Sequence, residues 1–164
     1  TDFEFQLWRV FYGFTRWQEG CEKVANQTDL TGSELSLLHI IRMKGRSKTI
    51  NELTRLLNRD DIFNVNYSIQ KLIKNGLIRK IVGDKNNKKA FSYEITEEGI
   101  KNTDAYTALR QNILIELLKK KKELNLEKFT DVLSELIAIY EEADRTVLTY
   151  MGDKSEVRKK SRNQ

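Results

Sequence analysis

The sequence predicts a mainly α-helical protein with one small β-hairpin, and residues 49–95 are its organising stretch. Two short segments with apolar residues at helical spacing are separated there by Asn58-Arg59-Asp60, and two β-like runs follow around a polar loop. The chain also contains no proline, which suits helices joined by short connections. These observations predict helix, tight turn, helix and hairpin in succession, with long helices on either side.

The charge of the chain is concentrated on one part of it. The 164 residues carry a formal net charge of +5, a length that fits one domain or one domain with an extension. Residues 42–89 hold 13 Lys and Arg against 4 Asp and Glu, a net of +9, whereas the remaining residues hold 16 against 20. Such an asymmetry is expected of a surface that binds a polyanion, although a solvated basic face is the alternative.

Several classes of protein are disfavoured by composition. The single cysteine, Cys21, excludes an intramolecular disulfide framework and a cysteine-based zinc site. No apolar run reaches the length of a membrane span, and no signal-peptide pattern opens the chain. We therefore expect a cytoplasmic protein with no membrane partner. No catalytic constellation, phosphate-binding glycine loop or metal-ligand cluster is present, so we predict no enzyme activity and no cofactor.

The first helix is predicted from a strict alternation of four- and three-residue steps. Its apolar positions are Phe3, Leu7, Val10, Phe14, Trp17, Cys21 and Val24. This spacing is typical of a helix that lies along another helix, either in a partner subunit or within the monomer. Cys21 lies on the seam, which predicts a buried thiol; a redox-sensing thiol is the alternative.

Two capping boxes open the next two helices. Thr31 and Glu34 have the spacing of such a box and predict a helix over residues 32–43. Thr49 and Glu52 repeat the pattern and predict a helix over residues 50–57. Asp60 or Asp61 then caps a third helix, which ends at the C′ glycine Gly76.

The third of these helices carries an unusual outward face. Apolar residues Ile62, Val65, Ile69, Leu72 and Ile73 are predicted to point inward, which leaves Phe63, Asn64, Asn66, Tyr67, Gln70, Lys71 and Lys74 outward. Asn and Gln amides can bond adenine, Lys can reach guanine or phosphate, and aromatic edges contact thymine methyl groups. A helix that only had to be soluble would more often carry Glu, Lys and Ala, so this face favours contact with DNA over plain solvation.

The β-hairpin follows directly, with strands predicted over residues 77–82 and 90–95. In the second strand Phe91, Tyr93 and Ile95 alternate with polar residues, as in a half-buried strand. The loop of residues 83–89 carries Lys85, Lys88 and Lys89. A basic hairpin tip beside a DNA-contacting helix can lie along phosphates or enter the minor groove, and an ordinary exposed hairpin is the alternative.

Two long helices complete the chain. Thr96 caps the first, which is predicted to run to about Glu123, and Asn125 caps the second, predicted over residues 126–151 with 4-3 apolar spacing. Gly152 is expected to end it and to leave a disordered charged tail at residues 153–164. The fold class is thus mainly α with a small β-hairpin wing, a winged helix-turn-helix flanked by long helices. We divide it into a DNA-binding domain at residues 31–99 and a helical region at residues 1–30 plus 100–152, which the family resemblance given below implies to be the dimerisation region.

The order of elements and two short motifs resemble those of MarR-type transcriptional regulators over most of the chain. The motifs are Leu72-x-x-x-Gly76-Leu77-Ile78 at the end of the DNA-contacting helix and Ile95-Thr96-x-x-Gly99 after the hairpin. The hairpin departs from the family pattern, because Asn87-Lys88-Lys89 stands where the family usually carries Asp-Arg-Arg. The chain is accordingly identified as a divergent member.

The resemblance implies partners and sites. It implies a homodimer, formed by the first and last two helices, that places two recognition helices in successive major grooves of a pseudo-palindromic duplex. Asn64, Asn66, Tyr67 and Gln70 would read bases, with Lys71 and Lys74 nearer the phosphates. Many family members bind small aromatic or phenolic effectors between the first, second and fifth helices. The candidate lining residues here are Trp8, Tyr12, Trp17, His39 and Arg42, for which an aromatic core is the alternative.

We therefore predict a sequence-specific, double-stranded DNA-binding regulator that acts as a homodimer and occupies a promoter as a repressor does. The first alternative is a winged helix used as a protein-interaction module, which the charge asymmetry disfavours. A second alternative, binding of single strands or RNA, would require aromatic stacking platforms on a larger exposed sheet.

Overall fold

The computed structural model describes residues 1–82, 91–121 and 123–162, with the backbone alone over residues 151–162. The chain divides into two compact units, residues 1–117 and 118–164. The first unit contains the whole helix-turn-helix and the described part of the hairpin, so the residues predicted to contact DNA belong to it.

The elements follow the predicted order of helices and hairpin strands, so the predicted fold class is confirmed. They are α1 (Asp2–Asn26), α2 (Gly32–Arg42), a 3-10 turn (Met43–Gly45), β1 (Lys48–Thr49), α3 (Ile50–Leu56), α4 (Ile62–Lys74), β2 (Ile78–Val82), β3 (Phe91–Ile95), α5 (Glu97–Leu109), a π-helical segment (Arg110–Ile115), α6 (Glu116–Lys119) and α7 (Leu126–Arg162).

Both predicted capping boxes are present. The Thr31 backbone N–H donates to Glu34 Oε2 at 2.8 Å, and the Thr49 backbone N–H donates to Glu52 Oε2 at 2.9 Å. In each box the threonine hydroxyl accepts from the glutamate backbone N–H in return. These reciprocal bonds satisfy N–H groups that a helix start leaves without partners, which is why α2 and α3 begin where they do.

The sheet has three antiparallel strands in the order β1-β3-β2, one more than the sequence predicted. The extra strand, β1, is two residues long, too short to show any periodicity. Its Lys48 side chain is buried, and Nζ donates to the carbonyl oxygens of Ile41 and Arg46 at 2.9 and 3.1 Å. Burial lowers the pKa of this lysine. Lys48 thus closes the C-terminal end of α2 and brings β1 to the edge of the hairpin.

The core of the first unit lies between α2, α3, α4 and the sheet. It consists of Leu30, Leu35, Leu37, Leu38, Ile41, Leu53, Val65, Ile69, Leu72, Leu77, Ile78 and Tyr93. Because α2 supplies four of these residues, it is the platform on which both helices of the helix-turn-helix are held.

The two motifs that carry the family resemblance meet at one junction. Gly76 has a φ of 70°, and the Leu77 N–H donates to the Leu72 carbonyl at 3.0 Å, which ends α4 in a Schellman arrangement. Thr96 Oγ1 donates to the Gly76 carbonyl at 2.7 Å and accepts from the Gly99 N–H at 3.1 Å. The junction therefore fixes the start of α5 against the end of α4, with the hairpin between them.

The long C-terminal helices differ from their predicted bounds. The helix that starts at Glu97 passes through the π-helical segment and ends at Lys119, before the predicted Glu123. The backbone of α7 continues through Gly152 to Arg162, whereas the sequence predicted an end at Gly152 and a disordered tail. One glycine costs a helix only about 1 kcal/mol, and no proline follows it to stop the helix. Over the described part of the chain, no helix combines the length and apolar character that crossing a membrane requires.

Candidate nucleic-acid interface

Helix α4 is held by a fully buried inner face. Val65, Ile69 and Leu72 are each 0% exposed and belong to the core beneath the helix. Ile62, which the pattern placed on the same face, is 46% exposed, because it begins the helix beyond the edge of the core. The core thus sets which side of α4 is turned to solvent.

The turn before α4 is organised by an ion pair. Arg59 donates to both oxygens of the Asp61 carboxylate, at 2.7 and 2.5 Å, and to Ser33 Oγ of α2 at 2.5 Å. Asn64 Nδ2 donates to Asp61 Oδ2 at 3.0 Å. Asp61 is the N-cap residue by position, as one of the two predicted candidates, but its side chain makes no capping bond. Its carboxylate instead binds the Arg59 guanidinium, which fixes the turn and orients the Asn64 amide.

These contacts make Asp61 an acid-sensitive group. The hydrogen bond from Arg59, followed by that from Asn64, lowers its pKa from 3.8 to about 2. A carboxyl with a lowered folded-state pKa contributes stability that is fully present above the unfolded value of 3.8 and is lost as the pH falls through about 2. We expect the acid slope of urea-unfolding free energy between pH 4 and about 2 to be shallower in Asp61→Asn than in the native chain. Equal slopes for the native chain and Asp61→Asn would contradict the assignment.

Six of the seven residues predicted on the outward face of α4 are exposed: Phe63, Asn64, Asn66, Tyr67, Gln70 and Lys74. Phe63 is 93% and Tyr67 71% exposed. Lys71 is partly buried: its Nζ donates to Glu34 Oε2 at 2.7 Å and to the Asp29 carbonyl at 3.0 Å. Lys71 thus ties α4 to α2, a role that its position on the outward face did not indicate.

Much of the positive charge of residues 42–82 is used inside the protein. Of the ten Lys and Arg residues in this range, five form ion pairs with carboxylates, namely Arg42, Arg46, Arg59, Lys71 and Arg79. Lys48 is buried against backbone carbonyls. On α4, Lys74 is therefore the exposed positive charge, and it lies beside a face made of amides and aromatic rings.

The base of the hairpin is rigidified across its two strands. Arg79 of β2 pairs with Glu94 of β3, and Lys80 Nζ lies 3.4 Å from the centre of the Phe91 ring. Lys80 is exposed and stands on β2. The three lysines predicted at the tip, Lys85, Lys88 and Lys89, lie outside the described residues.

The five predicted effector-binding residues are divided among separate places. Trp8 and Tyr12 are 62% and 64% exposed on α1. Trp17 lines a cavity of about 400 Å³ together with Cys21, Leu109 and Ile113. Cys21 is buried, as predicted, and burial raises the pKa of its thiol.

His39 and Arg42 join α2 to α5. The His39 ring lies 4.8 Å from that of Tyr106, and burial, followed by the charge of nearby arginines, lowers the pKa of His39. Arg42 Nη1 donates to Thr103 Oγ1 at 2.5 Å and pairs with Asp104 at 2.6 Å. These two residues thus make contacts between α2 and α5.

Sequence reasoning missed a buried carboxylate. Glu22 is 0% exposed; its Oε1 accepts from Thr28 Oγ1 at 2.5 Å and Asn102 Nδ2 at 2.7 Å, and its Oε2 from Asn26 Nδ2 at 2.9 Å. This network joins α1, the loop after it and α5. A lone Glu near the end of an amphipathic helix gives no sequence signal, because its partner Asn102 is 80 residues away.

A second cavity was also not foreseen. It has a volume of about 540 Å³ and lies between α1, the start of α2 and the helix-turn-helix turn. Phe11, Phe14 and Leu57 supply apolar walls, while Ser33 and Arg59 supply polar ones. Arg59 thus contributes both to this cavity and to the turn that holds α4.

Comparison with known proteins finds similarity to this fold both in a family model and among solved structures. Residues 30–99 match the family model described as a winged helix DNA-binding domain. No protein in the curated set of sequences matches the chain. The segment that carries the helix-turn-helix and the hairpin is thus similar to a winged helix DNA-binding domain.

Solved structures extend the similarity beyond that segment. The regulator BldR from Sulfolobus solfataricus is 18% identical with a TM-score of 0.66, covering 84% of this chain and 93% of BldR. A MarR-family regulator from a Rhodococcus is 15% identical with a TM-score of 0.67, covering 83% of this chain and 92% of its own. MepR of S. aureus, solved in complex with DNA, is 18% identical with a TM-score of 0.65, covering 83% and 96%.

The chain as a whole has the fold of the MarR-family regulators, as the sequence resemblance predicted. The winged helix match covers residues 30–99, and these neighbours extend the likeness in fold to more than four fifths of the chain.

Proposed function

We propose that this protein is a homodimeric transcriptional regulator that binds a specific double-stranded DNA sequence and represses by occupying a promoter. The observation that carries the proposal is the outward face of α4, where two asparagines and a glutamine stand beside two aromatic rings on a rigid core. Amide side chains bond adenine bidentately in the major groove, which a helix of this width enters. The net charge of +9 over residues 42–89 disfavours a winged-helix module that binds only proteins.

The homodimer is proposed from the exposed apolar residues of the long helices. On α1, eight large apolar residues are at least half exposed: Phe3, Phe5, Trp8, Val10, Phe11, Tyr12, Phe14 and Val24. On α7 a similar set is about half exposed or more, including Phe129, Leu133, Ile137, Tyr140, Val147 and Tyr150. Contiguous apolar surface of this extent needs a cover, and a second copy supplies one on both helices. Light scattering should give a mass near twice 19.3 kDa; a monomer would refute the dimer.

Binding to duplex DNA should be sensitive to salt and should depend on α4. We expect Asn66→Ala or Gln70→Ala to cost about 1–3 kcal/mol on the selected sequence and to relax the preference at one base pair, because a base-reading amide is lost. Lys74→Ala should instead weaken binding to all duplexes and reduce the salt slope by about 1, because a phosphate contact is lost. Fluorescence anisotropy over a salt series on selected and scrambled duplexes measures both effects. The absence of salt-sensitive duplex binding at low micromolar protein would refute the proposed function.

A small aromatic effector is a further part of the proposal. The cavity beside Trp17 supports it, since its walls are mainly apolar. The cavity lies between α1 and the end of α5, so an occupant would contact both helices.

A further inference from the structure

Two aromatic side chains dominate the exposed surface of α4. Phe63 is 93% exposed and Tyr67 71% exposed, whereas the core residues of the same helix are fully buried. The two positions are four residues apart and therefore neighbour each other on the helix surface, one turn apart. Phe63 is the second residue of α4, at the end from which a recognition helix contacts base edges.

The helix around this pair offers no free arginine or lysine, the side chains that most often recognise guanine. From Ile62 to Gln70 the helix contains no charged residue, and Lys71 beyond it is tied to Glu34 and Asp29. Arg or Lys reaching O6 and N7 is the commonest specific contact to guanine, and this part of α4 does not offer it. The Asn64 amide nitrogen donates to Asp61, and its carbonyl oxygen is the acceptor of this exposed side chain. An acceptor suits the amino groups of adenine or cytosine.

We infer that Phe63 and Tyr67 read the C5-methyl groups of thymines in the major groove, so that α4 recognises its operator through A·T pairs. The inference deepens the proposed function and rests on it. The thymine methyl is the apolar group that the bases present in the major groove, and it is the natural partner for an aromatic edge. Adjacent thymines would engage the two rings together, while Asn66 and Gln70 bond adenines beside them.

The position of the pair favours DNA over a protein as its occupant. Phe63 and Tyr67 stand inside the segment that matches a winged helix DNA-binding domain. Tyr67, Gln70 and Lys74 share one surface depression on α4, which places a positive charge and an amide next to the aromatic edge. In a DNA groove, base edges lie beside negatively charged phosphates. The amide and the ring match the base edges, and the positive charge matches the phosphates.

The experiment removes methyl groups one at a time. An operator duplex is selected from a random pool with the full chain, and each thymine is then replaced by deoxyuridine, which lacks only the C5 methyl. We expect the dissociation constant to rise roughly three- to fivefold at one or two positions of each half-site, the effect of exposing one buried methyl-sized group. Where a T·A pair of the operator is replaced by C·G, using 5-methylcytosine instead of cytosine restores the methyl group and should recover part of the lost affinity.

Protein variants assign the effect to the aromatic pair. Each variant should have the same affinity for two duplexes that differ only at the position read by the removed ring, one with thymine there and one with deoxyuridine. This applies to Phe63→Ala and to Tyr67→Ala. Lys74→Ala is the matched control from the same face: it should bind every duplex more weakly and keep the full methyl effect. Circular dichroism verifies that the variants fold, which their exposed positions lead us to expect.

The outcomes separate this inference from the proposed function. If selection yields no bound duplex, both fall. If a duplex is selected but deoxyuridine leaves the dissociation constant unchanged at every position, the inference about thymine methyl groups is wrong. The proposed function as a DNA-binding regulator is then unaffected. An equal methyl effect in the native chain and in both alanine variants, or half-sites built from G·C pairs, would overturn it as well.

Discussion

Replacing Gly99 with alanine is expected to lower the free energy of unfolding by about 3 kcal/mol, because the junction of α4, the hairpin and α5 has no room for a side chain. A Cβ at this position would lie 2.1 Å from the carbonyl oxygen of Leu77 and 2.7 Å from Ile95 Cγ1. The first contact is with backbone, which cannot rotate away as the end of a side chain can. Urea denaturation followed by far-UV circular dichroism measures the change.

A second glycine in the chain serves as the control for this substitution. A Cβ at Gly20 on α1 would meet no atom within 4 Å among the described residues of the monomer, so Gly20→Ala should stabilise the chain by roughly 0.5–1 kcal/mol through helix propensity. Opposite signs for the two substitutions would establish that close approach, and not the loss of a flexible glycine, makes Gly99 necessary. A neutral Gly99→Ala would contradict the packing described for the Thr96–Gly99 motif.

Replacing Glu22 with leucine should lower the free energy of unfolding by about 3 kcal/mol, since it leaves the donors of Thr28, Asn26 and Asn102 without their acceptor. The isosteric Glu22→Gln should cost less, about 1 kcal/mol. Its carbonyl can keep the two bonds made to Oε1, and only the bond from Asn26 is lost. The urea midpoints of unfolding should decrease in the order native chain, Glu22→Gln, Glu22→Leu.

An exposed neighbour tests whether the effect is specific to the buried carboxylate. Lys23 follows Glu22 on α1 and is exposed, so Lys23→Gln should change the unfolding free energy by no more than about 0.5 kcal/mol. If Glu22→Leu proved as stable as the native chain, the carboxylate network would not be what joins α1 to α5.

The parts of the fold that the sequence predicted are those with local physical signals. Thr31 and Glu34, like Thr49 and Glu52, lie three residues apart, so a capping box is readable from the chain alone. The apolar spacing of α4 likewise predicted Val65, Ile69 and Leu72 as its buried face. Strand β1 was missed for the converse reason: two residues carry no period, and Lys48 is an unlikely strand or core residue by composition.

The candidate site shows the same division. The spacing along α4 predicted which residues face outward, and six of them are exposed. Spacing could not show that Lys71 is bonded to Glu34 and Asp29, because these partners are 37 and 42 residues away. It also left the cap of α4 open between Asp60 and Asp61, and the choice of Arg59 as the partner of Asp61 depends on the conformation of the turn.

By itself, the amino-acid sequence determined the class of fold, the starts of α2 and α3, the end of α4 at Gly76 and the amide and aromatic composition of the recognition face. Each of these depends on interactions within about one helical turn or on a repeating apolar period. Only the tertiary structure decided which positive charges remain exposed to solvent, which carboxylate is buried and why Gly99 must be glycine. Those properties depend on atoms that folding brings together from distant parts of the chain, and no local pattern records such distances.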